Sequence, residues 1–352
     1  MLDRFAVKGK STRESYIDVL KGVAMLGVIL AHYFMPPNVI LGKIALAGSR
    51  CPQFFFIASA FLTWKALDKP RSVDYKSFYK TRFFRIGPIY WLALLFALLL
   101  PVITIHQHSV GDLLTHVLFI NGFVPQWTDN IMHVEWYISD LVILYLLCPF
   151  LRRYAYSLKT SSILLFFSII ISSLSLIVSN NVFATQIDDI PSWEMYFHTF
   201  FFLIQLPVWM LGVVTYYVVK EKNGVSWKVL LILFVIVIII NVLFEAFGLN
   251  KRFLSSSLIA GLDFTWLFLF CHRLKRLFHY GVFKPFKWFG IHSYGIYCFH
   301  FAVIRTLAFY GLIQTTTTKG WIVGFFISVL ASVLIGYTFE LCWNFIQNRI
   351  IK

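Results

Sequence analysis

The stretch IDVLKGVAMLGVILAHY (residues 17–33) is the first long apolar run of the chain, and it contains Asp18, Lys21 and His32. An ionisable side chain at the centre of a membrane helix costs roughly 2.5–3.5 kcal/mol on insertion scales. Polar residues that remain within such a run are therefore candidates for function. The rest of the sequence indicates what that function is.

The composition predicts a membrane protein. The chain has 352 residues, of which 59% are hydrophobic and 13% charged, and its mean hydropathy is +0.75. A soluble domain cannot bury that much apolar surface, and runs of about 20 apolar residues, enough to cross a bilayer, recur along the chain. We predict a single all-α, polytopic membrane domain over residues 1–352, with about ten transmembrane helices. The predicted spans are 16–35, 44–66, 85–104, 135–151, 161–179, 196–219, 226–247, 253–272, 288–312 and 319–346.

The distribution of charge predicts the orientation. The formal net charge is +15, and most of the 31 Lys and Arg residues fall in alternate segments between the predicted spans. Such a bias marks the cytoplasmic side, so both termini are predicted to be cytoplasmic. Residues 1–14 would form a cytoplasmic tail, 67–84 a basic cytoplasmic loop, and 105–134 an outer loop with an interfacial or re-entrant segment at 112–127. Orientation in a lipid bilayer explains the charge, and no nucleic-acid partner is expected.

Helical geometry relates the polar residues of the opening stretch. Lys21 and His32 are eleven residues apart, which places them within roughly 20° of one another and roughly 16 Å apart along a helix axis. Asp18 lies roughly 40° from His32 by the same count. In the functional interpretation, one helix face carries a cation at one end and an imidazole at the other. In the alternative, Lys21 extends to the interface and pairs with Asp18, and His32 marks the opposite interface.

Two further pairs of residues have both a functional and a structural interpretation. Arg82 and Arg85 are three residues apart on one helix face, and Arg side chains bind phosphate with two parallel hydrogen bonds; alternatively, they only anchor the cytoplasmic side. Tyr297 and His300 share a face with Ser293. His300 lies in mid-span, where it could instead form a hydrogen bond with a neighbouring helix.

The predicted outer side is poor in cations. His133 and Glu135 lie at the outer mouth of the span 135–151, with Trp136 as an interface anchor, although an ordinary aromatic belt would look the same. The outer loop 180–195 contains only acidic charges. We therefore expect the outer mouth to offer hydrogen bonds to a polar acceptor and to lack cations. Five scattered cysteines without a C-x-x-C pair indicate neither a disulfide framework nor a metal site.

Five segments resemble the bacterial integral-membrane acyltransferases of acyltransferase family 3. YIDVLKGVAMLGVILAH (16–32) is similar to the family's first helix, in which Arg, ten residues and His recur; Lys21 replaces the Arg here. FFFIASAFLTW (54–64) has Ala60 where the family has Gly, and TRFFRIGPIYW (81–91) keeps its R-x-x-R. WYISDLVILYLLCP (136–149) lacks the paired Glu of one large branch, and HSYGIYCFH (292–300) matches the penultimate motif.

The resemblance implies ten helices and transfer of an acyl group, most simply acetyl, from cytoplasmic acyl-CoA to a hydroxyl of a surface or lipid-linked saccharide. It implies a multi-pass protein of the bacterial inner membrane, with acyl-CoA as a donor substrate and no permanently bound cofactor. We expect His32, with Asp18 on the same face, to be catalytic. The cations Lys21, Arg82 and Arg85 would bind CoA. The residues expected to hold the acceptor are His133, Glu135, Trp136, Ser139, Tyr297 and His300. The alternative function is a transporter or flippase of a lipid-linked saccharide.

Overall fold

A computed structural model describes residues 14–68, 74–100, 108–183, 196–249 and 254–350 of the protein, which fold into α-helices without a strand. The predicted all-α fold is thus confirmed for the described residues. The helices are α1 (Ser15–His32), α2 (Val39–Gly48), α3 (Pro52–Leu67), α4 (Tyr75–Leu98), α5 (Val110–Val117), α6 (Glu135–Tyr154), α7 (Leu158–Val178), α8 (Phe202–Lys222), α9 (Trp227–Ala246), α10 (Ser256–Arg273), α11 (Lys284–Ile291), α12 (Ser293–Phe309) and α13 (Thr318–Ile350). Short 3-10 or π turns occupy Asn121–Phe123, Pro125–Trp127, Ser179–Phe183, Tyr196–Phe200, Leu277–His279 and Gly281–Phe283.

Seven helical segments of the described chain are long and apolar enough to cross a membrane. They are Ser15–His32, Val39–Leu67, Tyr75–Leu98, Leu158–Asn181, Tyr196–Lys222, Trp227–Ala246 and Thr318–Arg349. The other three predicted spans correspond to α6, α10 and α12. Of these, α6 carries Glu135 and Asp140, and α12 has only 17 residues. The chain is a multi-pass membrane protein, while the count of ten spans and the cytoplasmic termini stay predictions.

Three predicted boundaries differ from the structure. Helix α4 begins at Tyr75, where Asp74 caps it by accepting a hydrogen bond from Ser77 N, so most of the predicted loop 67–84 that is described is helical. The predicted span 288–312 is divided at His292 into α11 and α12. The predicted span 44–66 starts earlier, in α2, and is interrupted between Gly48 and Pro52.

Two glycines let α1 and α11 pack with their backbones in contact. A Cβ added at Gly22 would lie 2.1 Å from Phe286 O, and one at Gly290 would lie 1.7 Å from Asp18 O. No larger residue fits at either position without moving one of the helices. This contact fixes the first half of α1, including Lys21, against the rest of the bundle.

Basic residues gather at the end of the bundle where α1 begins, called the Lys21 end here; the opposite end is called the His32 end. Lys65 pairs with Glu14 at 2.5 Å, and Lys287 donates to Ser15 Oγ at 2.8 Å. Lys220 pairs with Asp68 at 2.5 Å. Although burial alone would raise the pKa of Asp68, its hydrogen bonds from Lys220 and Tyr216 lower it. The prediction that this end is cytoplasmic stays a prediction.

Several predicted features lie outside the described residues. They include residues 1–13 of the predicted tail and the part of the acidic loop that carries Asp188, Asp189 and Glu194. The short segment 112–127 contains only one helix, the eight-residue α5, which is too short to cross a bilayer.

Candidate active site

A cavity of about 180 Å³ lies among α1, α3, α4, α6 and α12. Lys21, Arg82 and Arg85, which are predicted to bind CoA, all line it. No Asp or Glu side chain belongs to the described lining. The other lining residues are Phe55, Ser59, Leu62, Ile86, Tyr137, Leu141, Tyr145, Ser293, Tyr294 and Tyr297. Three cations from two distant segments of the chain thus meet in one cavity, whose wall is otherwise made of aromatic, aliphatic and hydroxyl side chains. This arrangement is suited to an anion.

The guanidinium of Arg82 is held by aromatic rings. Its central carbon lies 4.8 Å from the centre of the Tyr145 ring and 5.4 Å from that of Phe78. One N–H group donates to Thr63 Oγ1 at 3.3 Å. Stacking of this kind fixes the plane of the guanidinium, and an Arg has five N–H groups in total. The remaining N–H groups suit the oxygens of a phosphate.

The second feature of the site is a histidine pair at the His32 end. Nε2 of His300 lies 3.0 Å from Nδ1 of His32, and the two residues come from α12 and α1. Nδ1 of His300 lies 2.7 Å from Tyr297 O, and Nδ1 of His32 also lies 3.0 Å from Val28 O. His300 is completely buried, whereas His32 is partly exposed.

These contacts assign the tautomers of both rings. A carbonyl oxygen only accepts, so Nδ1 of His300 carries the proton that it donates to Tyr297 O. In the neutral ring, Nε2 of His300 is then an acceptor, and Nδ1 of His32 donates to it. Nε2 of His32 consequently holds a lone pair. A histidine fixed in this tautomer is arranged as a general base.

Tyr297 connects the cavity to the histidine pair. Its side chain lines the cavity, while its backbone oxygen accepts from His300. The phenol donates to Val134 O at 2.9 Å, which ties α12 to the segment before α6. Tyr297 is thus shared by the cavity wall and by the hydrogen bonds of the histidine pair.

The structure does not bring Asp18 and His32 together. They are fourteen residues apart on α1, or roughly 21 Å along the helix axis. Asp18 is buried at the Lys21 end, where its backbone oxygen faces Gly290 of α11. Any contribution of Asp18 to the reaction would therefore act through groups at the Lys21 end.

Glu135 does not fit its predicted contact with an acceptor, because the side chain is completely buried. Its two oxygens accept hydrogen bonds from the backbone N–H groups of Ile131, Met132 and Val134 at 2.7–3.0 Å. The carboxylate therefore shapes the segment 131–134. That segment includes His133, whose φ of 53° is uncommon for a residue with a side chain.

The other predicted acceptor contacts differ in exposure. His133 is exposed, and its ring centre lies 4.7 Å from that of Phe301. Trp136 is buried against the rings of Phe56 and Phe200. Ser139 is also buried, and it donates to Trp136 O at 3.2 Å. Of these three side chains, only His133 faces open space.

Sequence reasoning missed a buried ionic cluster beside the site. Nε2 of His116 lies 3.4 Å from Glu135, and Nδ1 lies 3.2 Å from Asp112. Burial alone would lower the pKa of His116, but the carboxylates of Glu135 and Asp112 raise it above the ordinary value. The spacing of Asp112 and His116, one helical turn apart, is the local signal that could have indicated the cluster. Among the described residues, no group of three or more His, Cys, Asp or Glu side chains could hold a metal ion.

Comparison with known proteins shows the family to which the chain belongs. Residues 14–340 match the family model described as "Acyltransferase domain" of acyltransferase family 3. The chain belongs to acyltransferase family 3. It is also 24% identical, over 217 residues, to a protein of Acidianus two-tailed virus named "Putative acetyltransferase ORF330". That alignment spans 60% of this chain and 60% of the viral protein. No solved structure matches this member of acyltransferase family 3.

Proposed function

We propose that this member of acyltransferase family 3 transfers an acyl group, most simply acetyl, from acyl-CoA to a hydroxyl of a saccharide. The observation that carries the proposal is that two sites, a cationic cavity and a histidine pair, share the residue Tyr297. A cavity lined by Lys21, Arg82 and Arg85 is joined through Tyr297 to a histidine pair in which His32 is a base. A cationic cavity alone would suit many anions, and a histidine base alone would suit many reactions, but acyl transfer from CoA needs both.

In the proposed complex, the phosphates of CoA occupy the cationic cavity. Arg forks bind phosphate oxygens, and Lys21 adds a point charge. The extended pantetheine arm is about as long as the roughly 16 Å along α1 from Lys21 to His32. In the proposed complex the thioester extends past Tyr297, which lines the cavity, to the histidine pair.

Transfer then needs one base and one acid, and His32 serves as both. Nε2 of His32 takes the proton of the acceptor hydroxyl while its oxygen attacks the thioester carbonyl carbon. The resulting imidazolium is stabilised by the hydrogen bond from its Nδ1–H to Nε2 of His300. Collapse of the tetrahedral intermediate breaks the C–S bond, and the departing thiolate takes the proton from Nε2. The products are the ester and free CoA.

The proposed direction runs across the membrane. The basic residues at the Lys21 end suit the cytoplasmic side of a bacterial inner membrane, and CoA is a cytoplasmic donor there. A charged CoA would be costly to move through hydrocarbon, so only the acyl group crosses. The acceptor, a surface or lipid-linked saccharide, approaches the His32 end.

The function is tested with purified protein in nanodiscs, [¹⁴C]acetyl-CoA and saccharides isolated from the host envelope. Wild-type protein should label one saccharide fraction, and His32→Ala should reduce the rate by about 10²–10⁴-fold, the usual contribution of a general base. The control is His279→Ala, which removes an exposed histidine from the turn Leu277–His279, a segment that contributes no residue to the cavity lining. Near-normal transfer by His32→Ala would refute the proposed role of His32.

A further inference from the structure

One aromatic ring at the His32 end gathers three functional groups. The ring centre of Phe301 lies 5.7 Å from that of His32, with the two planes nearly perpendicular, and 4.7 Å from that of His133. The guanidinium carbon of Arg305 lies 4.9 Å from the same ring centre. Both distances are measured to the ring centre of Phe301. The guanidinium carbon of Arg305, at 4.9 Å, and the ring centre of His32, at 5.7 Å, are therefore at most about 11 Å apart.

The guanidinium of Arg305 is held in place by two aromatic rings. Besides Phe301, it lies 5.5 Å from the ring of Phe34, just beyond the end of α1. In the described part of the chain, no Asp or Glu forms an ion pair with it. Stacking on rings leaves the N–H groups at the edge of a guanidinium available for a carboxylate or phosphate. The side chain is exposed, so a ligand can reach it.

His133 supplies a second donor on the same ring. The carboxylate of Glu135 fixes the backbone on both sides of His133 through Met132 N and Val134 N. A left-handed backbone conformation is strained for a residue with a side chain and persists only where its surroundings enforce it. This arrangement holds the imidazole of His133 against Phe301. His133 and Arg305 are both exposed, and because they lie 4.7 Å and 4.9 Å from the same ring centre, they are at most about 10 Å apart.

We propose that Arg305, with His133, binds a negatively charged group of the acceptor and so directs the neighbouring hydroxyl to His32. The inference rests on the proposed function and deepens it, because it specifies an acceptor that carries a carboxylate or a phosphate. The exposed Arg305 at the His32 end also corrects the expectation that the predicted outer mouth lacks cations. An Arg that only anchored the helix to lipid headgroups would leave acceptor choice unaffected, which makes the two roles separable.

The test uses three sugars that differ in one group: methyl β-glucoside, methyl β-glucuronide and methyl β-glucoside 6-phosphate. Binding to the full protein in nanodiscs is measured by saturation-transfer NMR without acyl-CoA. Wild-type protein should bind at least one anionic sugar about tenfold more tightly than the neutral one. Arg305→Gln should abolish that preference, and the two anionic arms show whether the site selects a carboxylate or a phosphate.

The matched control is Arg349→Gln, which removes another exposed Arg that stacks on a phenylalanine, Phe345, at 4.2 Å. It should keep the full preference. The proposal is overturned if wild-type protein lacks the preference in both arms, or if Arg305→Gln keeps it. Release of CoA from acetyl-CoA is measured in parallel. Failure of that reaction would reject the proposed function, while an Arg305-dependent preference would still show the anion site.

Discussion

Replacing His300 by leucine removes one of the two hydrogen-bond acceptors of the proposed base, His32. The side chain is completely buried, and its Nε2 accepts the hydrogen bond from Nδ1 of His32. Leucine is of similar bulk and cannot accept a hydrogen bond. Val28 O, 3.0 Å from the same nitrogen, remains as a second acceptor. His32 should therefore keep its tautomer in His300→Leu but lose the partner that stabilises its imidazolium.

The expected loss follows from this geometry. A hydrogen bond to a charged group contributes about 1.5–3 kcal/mol, and each 1.4 kcal/mol corresponds to a factor of ten. His300→Leu should therefore lower kcat by about 10- to 150-fold. His300→Gln, whose side-chain oxygen can accept from His32, should recover part of the rate. The double variant with His32→Ala should be no slower than His32→Ala alone, because the two residues act as one unit.

The assay is steady-state transfer from [¹⁴C]acetyl-CoA in nanodiscs, with kcat and KM determined separately. KM for acetyl-CoA should change little, because the contacts proposed for its phosphates lie in the cationic cavity. An unchanged kcat in His300→Leu would refute the proposed stabilisation of the His32 imidazolium by His300. A higher KM with normal kcat would equally refute it, since the pair would then serve binding alone.

Three further predictions concern the cavity, the helix packing and the buried ionic cluster. Arg82→Lys with Arg85→Lys keeps the charge but loses the forked geometry, so the Kd for acetyl-CoA in isothermal titration calorimetry should rise about tenfold or more; an unchanged Kd would contradict a bidentate contact. Gly290→Ala should lower the free energy of unfolding by about 1–3 kcal/mol in denaturant titrations, because its Cβ would meet Asp18 O, whereas Gly281→Ala, which has open space, should not. The raised pKa of His116 contributes stability that is present below about pH 6.5 and is lost as pH rises through the folded-state value. Thermal unfolding should show that His116→Gln costs more at pH 6 than at pH 9, and an equal cost at both would contradict a charged His116.

The long helices could be predicted from the sequence because each contains a long apolar run. Their boundaries could be predicted less well, because the polar end of a helix has the same composition as a loop. Helix α4 continues into the basic segment 75–84, where an Asp74 cap and charged residues form helix as readily as loop. The break at His292 depends on packing between α11 and α1 and on the contact of His292 with Glu340 at 3.1 Å. None of these long-range contacts leaves a local pattern.

Some residues of the candidate site could also be predicted from local sequence patterns, whereas others could not. The eleven-residue spacing of Lys21 and His32 and the Arg82–Arg85 pair are local signals, and the cations do line one cavity. The contact between His32 and His300 joins residues 268 positions apart, and no periodicity links them. Burial of Glu135 by the backbone of 131–134 was equally invisible in the sequence.

The most direct test of the proposed mechanism is the sidedness of transfer in sealed inside-out vesicles. With an envelope saccharide trapped in the lumen and [¹⁴C]acetyl-CoA in the bath, the lumenal saccharide should become labelled, and His32→Ala should abolish the labelling. With the saccharide only in the bath, labelling should be weak. Equal labelling of bath saccharide in intact vesicles would contradict the account, because both substrates would then use the Lys21 end.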